Sequence, residues 1–218
     1  MSRSLLLGAA GGLARETLDA VRAAGAHDVI GFLDDDPALH GSTIDGVPVL
    51  GGSAVVSDHP AASVVVCAGR GAARATIAAR LTEHGVMANR YATVVHPSVT
   101  IGDTCRLGRG SILLAGCVLT ADVAVGEHVV LMPRVVLTHD DVIEDFATIC
   151  SGATLGGSVR VEEAAYLGMS AAVRERVVVG AGSTVGMGAV VLHDVPSGET
   201  WAGNPARRLR EHDLGGPT

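Results

Sequence analysis

A chain of 218 residues with an apolar share of 48% can bury one large core or two small ones, so a globular protein is expected. Aromatic residues supply only 2% of the chain and the net charge is −7, which excludes the stacking platforms and clustered cations that nucleic-acid binding requires. All 16 basic residues are arginine, which excludes a Schiff-base lysine and a Walker-A lysine.

At the N-terminus, "MSRSLLLGAAGGLARE" has the outline of a short signal peptide but reads better as a strand, a glycine loop and a helix start. No apolar run reaches the ~20 residues of a membrane span. The four cysteines, Cys67, Cys105, Cys117 and Cys150, form no CxxC and read as small core residues of a protein in the reducing cytoplasm. A cytoplasmic chain with no membrane partner is therefore expected.

Residues 1–90 alternate apolar runs with helical patterns. Leu5 to Leu7, Val29 to Leu33 and Val64 to Cys67 read as buried strands, and Leu13 to Ala24 as a helix. Ala73, Ile77 and Leu81 recur at i, i+4 and i+8 as the apolar face of a second helix, with Gly85 placed to stop it. Strands separated by helices pair in parallel, so this part is expected to be a small Rossmann-like α/β domain. Gly8, Gly11 and Gly12 lie between a strand and a helix N-terminus, where backbone N–H groups favour phosphate; the alternative is a plain βα turn. Asp34, Asp35 and Asp36 follow the second strand as either ligand contacts or a solvated turn.

From Val95 the period is six. Every sixth residue from Val95 to Val191 is aliphatic, seventeen in succession, and the residue four places later is usually small, as in Cys105, Ser111, Ala147, Ala153 and Ala171. So strict a repeat means a solenoid of stacked parallel strands around a narrow core, which with a C-terminal tail makes a second domain over residues 91–218. Asp141 occupies the small-residue position, where a carboxylate pointing inward is costly unless hydrogen-bonded; an outward bulge is the other reading.

The hexads resemble the left-handed parallel β-helix of hexapeptide-repeat acyltransferases, three hexads to a coil and about five coils here. "GFLDDD" at Gly31 to Asp36, "THD" at Thr138 to Asp140 and "AGNPARRL" at Ala202 to Leu209 narrow the resemblance. They are similar to the nucleotide-sugar acetyltransferases, among them sialic-acid O-acetyltransferases and the bacillosamine-pathway and perosamine N-acetyltransferases. The resemblance implies a homotrimer with its sites in the clefts between subunits and acetyl-CoA as co-substrate, without a metal. It implies His139 as general base, Asp140 as its acidic neighbour and Gly157 as the N–H donor to the oxyanion. Gly157, Gly203, Asn204, Pro205, Ala206 and Arg207 would meet CoA, and Gly8, Gly11, Gly12 and Asp34, Asp35 and Asp36 the nucleotide sugar.

The chemistry needs little else, because an imidazole titrating near neutrality can take the acceptor's proton while a carboxylate fixes its tautomer. The bland reading of His139 is a solvated turn histidine. Some positions depart from the family's pattern: Met132-Pro133, Glu144, Thr148 where a histidine is common, and Gly12 or Leu13 where the loop histidine would fall. Gamma-class carbonic anhydrases share the β-helix and bind zinc through histidines, but His128 and His139 are eleven apart with no third adjacent. Two further alternatives stay open: a small non-nucleotide amine or alcohol as acceptor, and a non-catalytic sugar-nucleotide-binding scaffold.

Overall fold

The computed structural model describes residues 3–210. Its N-terminal part is a five-stranded sheet: β1 (Arg3–Gly8), β2 (His27–Leu33), β3 (Thr43–Ile44), β4 (Val47–Gly51) and β5 (Ser63–Val66), in the order β3-β4-β2-β1-β5. All neighbours are parallel except the β3–β4 hairpin, which the sequence reading did not include. Side chains alternate across the pleat, so Leu5 and Leu7 face α1 (Gly12–Ala24) while Leu6 faces α2 (Gly71–Glu83). Helix α1 buries Leu13, Ala14, Thr17, Leu18 and Val21 at helical spacing and ends on Gly25, whose φ of 67° suits the left-handed cap.

The second helix corrects the sequence reading in part: Leu81 is buried as expected, while Arg74 and Ala78 are buried in place of Ala73 and Ile77. Its buried positions are Gly71, Arg74, Ala78 and Leu81, with Ile77 half-buried and Ala73 exposed. The helix packs against two bodies at once, its own sheet and the β-helix, and the latter contact turns Arg74 inward.

From Val94 the chain winds through two-residue strands, each pairing with the strand three hexads further along, as in Val118 with Val136 and Val130 with Thr148. One coil is thus three hexads, and the strands form three parallel sheets, the faces of a left-handed β-helical prism. Of the seventeen aliphatic positions, all from Leu113 onward are buried in the central core, and Val95, Ile101 and Leu107 close its first end. From Gly110 to Gly188 the fourth residue of each hexad turns the corner with positive φ, whether glycine (Gly116, Gly152) or not (Asp122, Asp140, Phe146). Asp141 points inward and is fully buried, so the bulge is ruled out.

The α/β part lies on one face of the prism. Outward side chains Val94, Ile112 and Val130 of that face join the α1 core, while Tyr91 and Phe146 join the α2 core. Arg74, 0% exposed, threads between the two parts. Its guanidinium donates to the carbonyls of His128 (2.8 Å), Ala68 (2.8 Å), Gly69, Phe146 and Ala147, and to Thr148 Oγ1 (3.0 Å). At the far end, the turn at residues 203–206 folds back on Val190: the Val190 N–H donates to Gly203 O, the Ala206 N–H donates to Val190 O, and Ala206 plugs the core.

Candidate active site

His139 and Asp140 occupy the corner joining the strand Val136–Leu137 to Val142–Ile143, the prism edge opposite the face covered by the α/β part. Both are exposed, at 66% and 60% of their side chains. Asp140 has φ 63°, a left-handed conformation that aspartate tolerates better than most residues, and it brings Oδ2 to 2.8 Å from His139 Nδ1. With Nδ1 facing a carboxylate, the tautomer that satisfies both groups puts the proton there and leaves Nε2 free as a base.

On the next coil, at the equivalent corner, stands Gly157. A Cβ built there would overlap the His139 ring at Nε2 and Cε1, so the imidazole lies directly against the Gly157 backbone. Ser158 N–H donates to His139 O (2.8 Å), holding the two corners together, while the Gly157 N–H has no protein acceptor among the described residues. Base and free N–H are thus brought side by side.

Beneath the corner, Asp141 accepts from the N–H groups of Thr138 and Val159, each at 2.8 Å. Burial pushes its carboxyl up to about 6, although the two N–H donors pull the other way. Thr148, where the resemblance suggests a histidine near the acetyl group, lies instead on the covered face: it is fully buried under α2 and donates to Gly69 O. His128, weighed above as a ligand, is a core residue stacked on Phe146 (5.0 Å between centroids) and edge-on to Tyr91 (4.5 Å). Burial, then the nearby Arg74 cation, lowers it to about 4. Among the described residues no group of three or more His, Cys, Asp or Glu side chains could hold a metal ion.

The other residues singled out in the sequence fall into two places. At the ends of β1 and β2, Ala9, Asp34, Asp35, Ser53 and Arg80 line a cleft of ≈ 180 Å³. Asp34 Oδ2 accepts from the Ala10 N–H (2.8 Å), which brings the Gly8–Gly12 loop and the aspartate run together. Gly11 and Gly12 face open space, and the positive φ of the loop falls on Ala9. Asp35 ties Ser53 to Arg80, and the Ser53 N–H chiefly, with the Arg80 cation, holds its carboxyl below the usual range. Asp36 caps the short 3-10 helix at Pro37–Leu39. Gly203, Asn204, Pro205 and Arg207 surround the end of the prism, beside the buried Ala206.

Comparison with known proteins places this architecture. Residues 4–81 match the PglD N-terminal domain family. The chain is 28% identical to the GDP-perosamine N-acetyltransferase of Escherichia coli O157:H7, over 92% of its own length and 94% of that protein's. Two solved structures superpose along nearly the whole chain. One is a variant of perosamine N-acetyltransferase from Caulobacter crescentus in complex with CoA and GDP-perosamine, at 27% identity and a TM-score of 0.88 over 95% of this chain and 97% of that one. The other is WeeI from Acinetobacter baumannii AYE, at 30% identity and 0.85 over 95% and 100%. Gamma carbonic anhydrase 1 of Arabidopsis thaliana is 37% identical over 54% of this chain, which spans about half (48%) of that protein. A PglD-type α/β unit ahead of hexapeptide coils defines a class, the hexapeptide-repeat acyltransferases. Within it, the chain belongs to the nucleotide-sugar acetyltransferase family.

Proposed function

We propose that this chain transfers an acetyl group from acetyl-CoA to an amino or hydroxyl group of a nucleotide-linked sugar, with His139 as general base. The observation that carries it is the His139–Asp140 pair at 2.8 Å, its ring lying against Gly157 on an exposed edge of the prism. His139 Nε2 takes the proton as the acceptor attacks the thioester carbonyl, and Asp140 stabilises the imidazolium that forms. The unpaired Gly157 N–H donates to the carbonyl oxygen as negative charge grows on it. Acetyl-CoA itself supplies the activated acyl group and the thiolate leaving group.

A track for the co-substrate fits the same geometry. The outward residues Val136, Thr154, Ala172 and Val190 are stacked neighbours on one sheet, leading from the His139 coil to the turn at residues 203–206. Three coil spacings of ~4.8 Å span roughly 14 Å, within the reach of an extended pantetheine arm. Gly203 to Ala206 and Arg207 would then hold the nucleotide end. The cleft at Asp34 and Asp35 is the acceptor's anchor, but its own α/β part covers the prism face opposite His139. A neighbouring copy therefore brings the acceptor to each His139, which supports a homotrimer. The curated relative and the Caulobacter structure, named for GDP-perosamine, favour a nucleotide-linked amino sugar over a small free amine.

Release of CoA thiol, followed with acetyl-CoA and a panel of GDP-, UDP- and dTDP-amino sugars, tests the proposal. Turnover with at least one nucleotide sugar, and none with the free sugars, is the expected result; turnover only with non-nucleotide amines would overturn it.

A further inference from the structure

Around the prism, the second residue of each hexad at this edge hands its N–H to the first residue of the equivalent hexad on the next coil. Gly102 donates to Leu119 O, Thr120 to Leu137 O (3.2 Å) and Gly156 to Val173 O (2.9 Å). The His139 corner breaks the pattern. The Thr138 N–H turns to Asp141 Oδ2 (2.8 Å), and Leu155 O is served by Thr138 Oγ1 instead (3.0 Å). Strand pairing reflects the change: Val136 pairs with Thr154 alone, whereas the preceding and following coils pair at both residues. The second Asp141 oxygen accepts from the N–H of Val159, just beyond Gly157 on the next coil. One buried carboxylate thus holds both corners, that of the base and that of the free N–H.

Elsewhere the same position is filled without any such rewiring. Ser111, equally buried, accepts from Val129 N–H and donates to Gly126 O. Ala147, Ala153 and Ala171 fill it with a methyl group. A carboxylate is therefore not what the coil needs to stack, and its desolvation works against folding.

We propose that Asp141 is a positioning residue: its carboxylate draws Thr138 out of the regular ladder and ties it to Val159, fixing the distance and angle between the His139 imidazole and the Gly157 N–H. This rests on the acetyltransferase reading for its purpose but not for its geometry. A serine at 141 has the Ser111 arrangement open to it, because Val159 N–H and Gly156 O stand to position 141 as Val129 N–H and Gly126 O stand to Ser111. Thr138 can then return to Leu155 O. Asp141→Ser should therefore keep the fold while relaxing the corner.

The experiment follows the Gly157 amide ¹H–¹⁵N resonance through a pH titration of His139, in the full-length wild type and in Asp141→Ser, alongside thermal unfolding. In the wild type the Gly157 resonance should track His139 protonation. In Asp141→Ser the part of that excursion that His139→Ala removes, which leaves out the titration of Asp141 itself, should fall by half or more at a Tm within a few degrees of wild type. With a turned-over acceptor, kcat should fall about 10²-fold, as misplacement by about an ångström does, with the KM for acetyl-CoA changed far less. An unchanged Gly157 excursion in the variant overturns the proposal. So does a kcat loss that merely follows Tm across Asp141→Ser, Asp141→Ala and Asp141→Asn. Failure of the underlying reading would show separately: turnover that His139→Ala leaves intact removes the general-base role, and no release of CoA thiol from acetyl-CoA with any acceptor removes the acetyltransferase reading itself.

Discussion

His139 differs from the other edge residues in its column, Asp103, Ala121, Gly157, Glu175 and His193, by having both a carboxylate partner at 2.8 Å and a glycine backbone under its ring. Removing a general base costs typically 10²- to 10⁴-fold, so His139→Ala should lower kcat by that amount and leave the Tm within about 1 °C, since the side chain is mostly exposed. Steady-state CoA release and calorimetry check both halves. Asp140 serves two ends, its left-handed φ and its bond to Nδ1. Asparagine keeps the first and changes the second. In sequence terms the pair was legible from "THD" set in the six-residue register. Asp141 was legible only as an anomaly, because its partners Thr138 and Val159 lie on two different coils.

At the level of elements, α2 is held to the prism by Arg74, whose guanidinium has five carbonyls and one hydroxyl as acceptors and, among the described residues, no carboxylate. Burial lowers its pKa to about 10, which leaves it charged at neutral pH. Arg74→Met keeps the length of the side chain but strands those acceptors. It should cost about 3 kcal/mol, a Tm drop of roughly 6–12 °C. The same junction sets a pH dependence. His128, held down to about 4, stays neutral in the fold, whereas the unfolded chain takes up that proton below ~6.5, so its contribution is lost as pH falls from ~6.5 toward 4. Asp141, held up to about 6, acts oppositely: the fold keeps a proton that the unfolded chain releases near 3.9, so stability falls as pH rises across that window. With Asp141 replaced by serine only the first effect remains. The urea midpoint of that variant should fall more steeply than that of the wild type between pH 6 and 4.

For the whole molecule, the arrangement of faces decides how a site can be completed. One prism face is covered by the chain's own α/β part, and His139 stands on the edge opposite to it. A single chain thus exposes the base on one side and the Asp34–Asp35 cleft on another. Light scattering should give a mass of about three times the 22.0 kDa of one chain, and a monomer would remove the source of the acceptor. Dilution to the monomer should abolish turnover while the fold remains.

The sequence by itself determined the solenoid, because successive hexads meet the same environment: an aliphatic side chain inward, from Gly110 to Gly188 a corner in the left-handed region, and usually a small or β-branched residue filling the next gap. It determined the parallel α/β order too, and the placing of His139 and Asp140 on one corner. Only the tertiary structure decided what depends on contacts between remote segments. The buried face of α2 took in Arg74 and Ala78 beside Leu81, because carbonyls of the prism, far along the chain at His128 and Phe146, accept from Arg74. Thr148 went under α2 because the α/β part settled on that face. Asp141 turned inward because the next coil offered a second N–H, and a buried carboxylate with two donors is tolerated where an unpaired one is not.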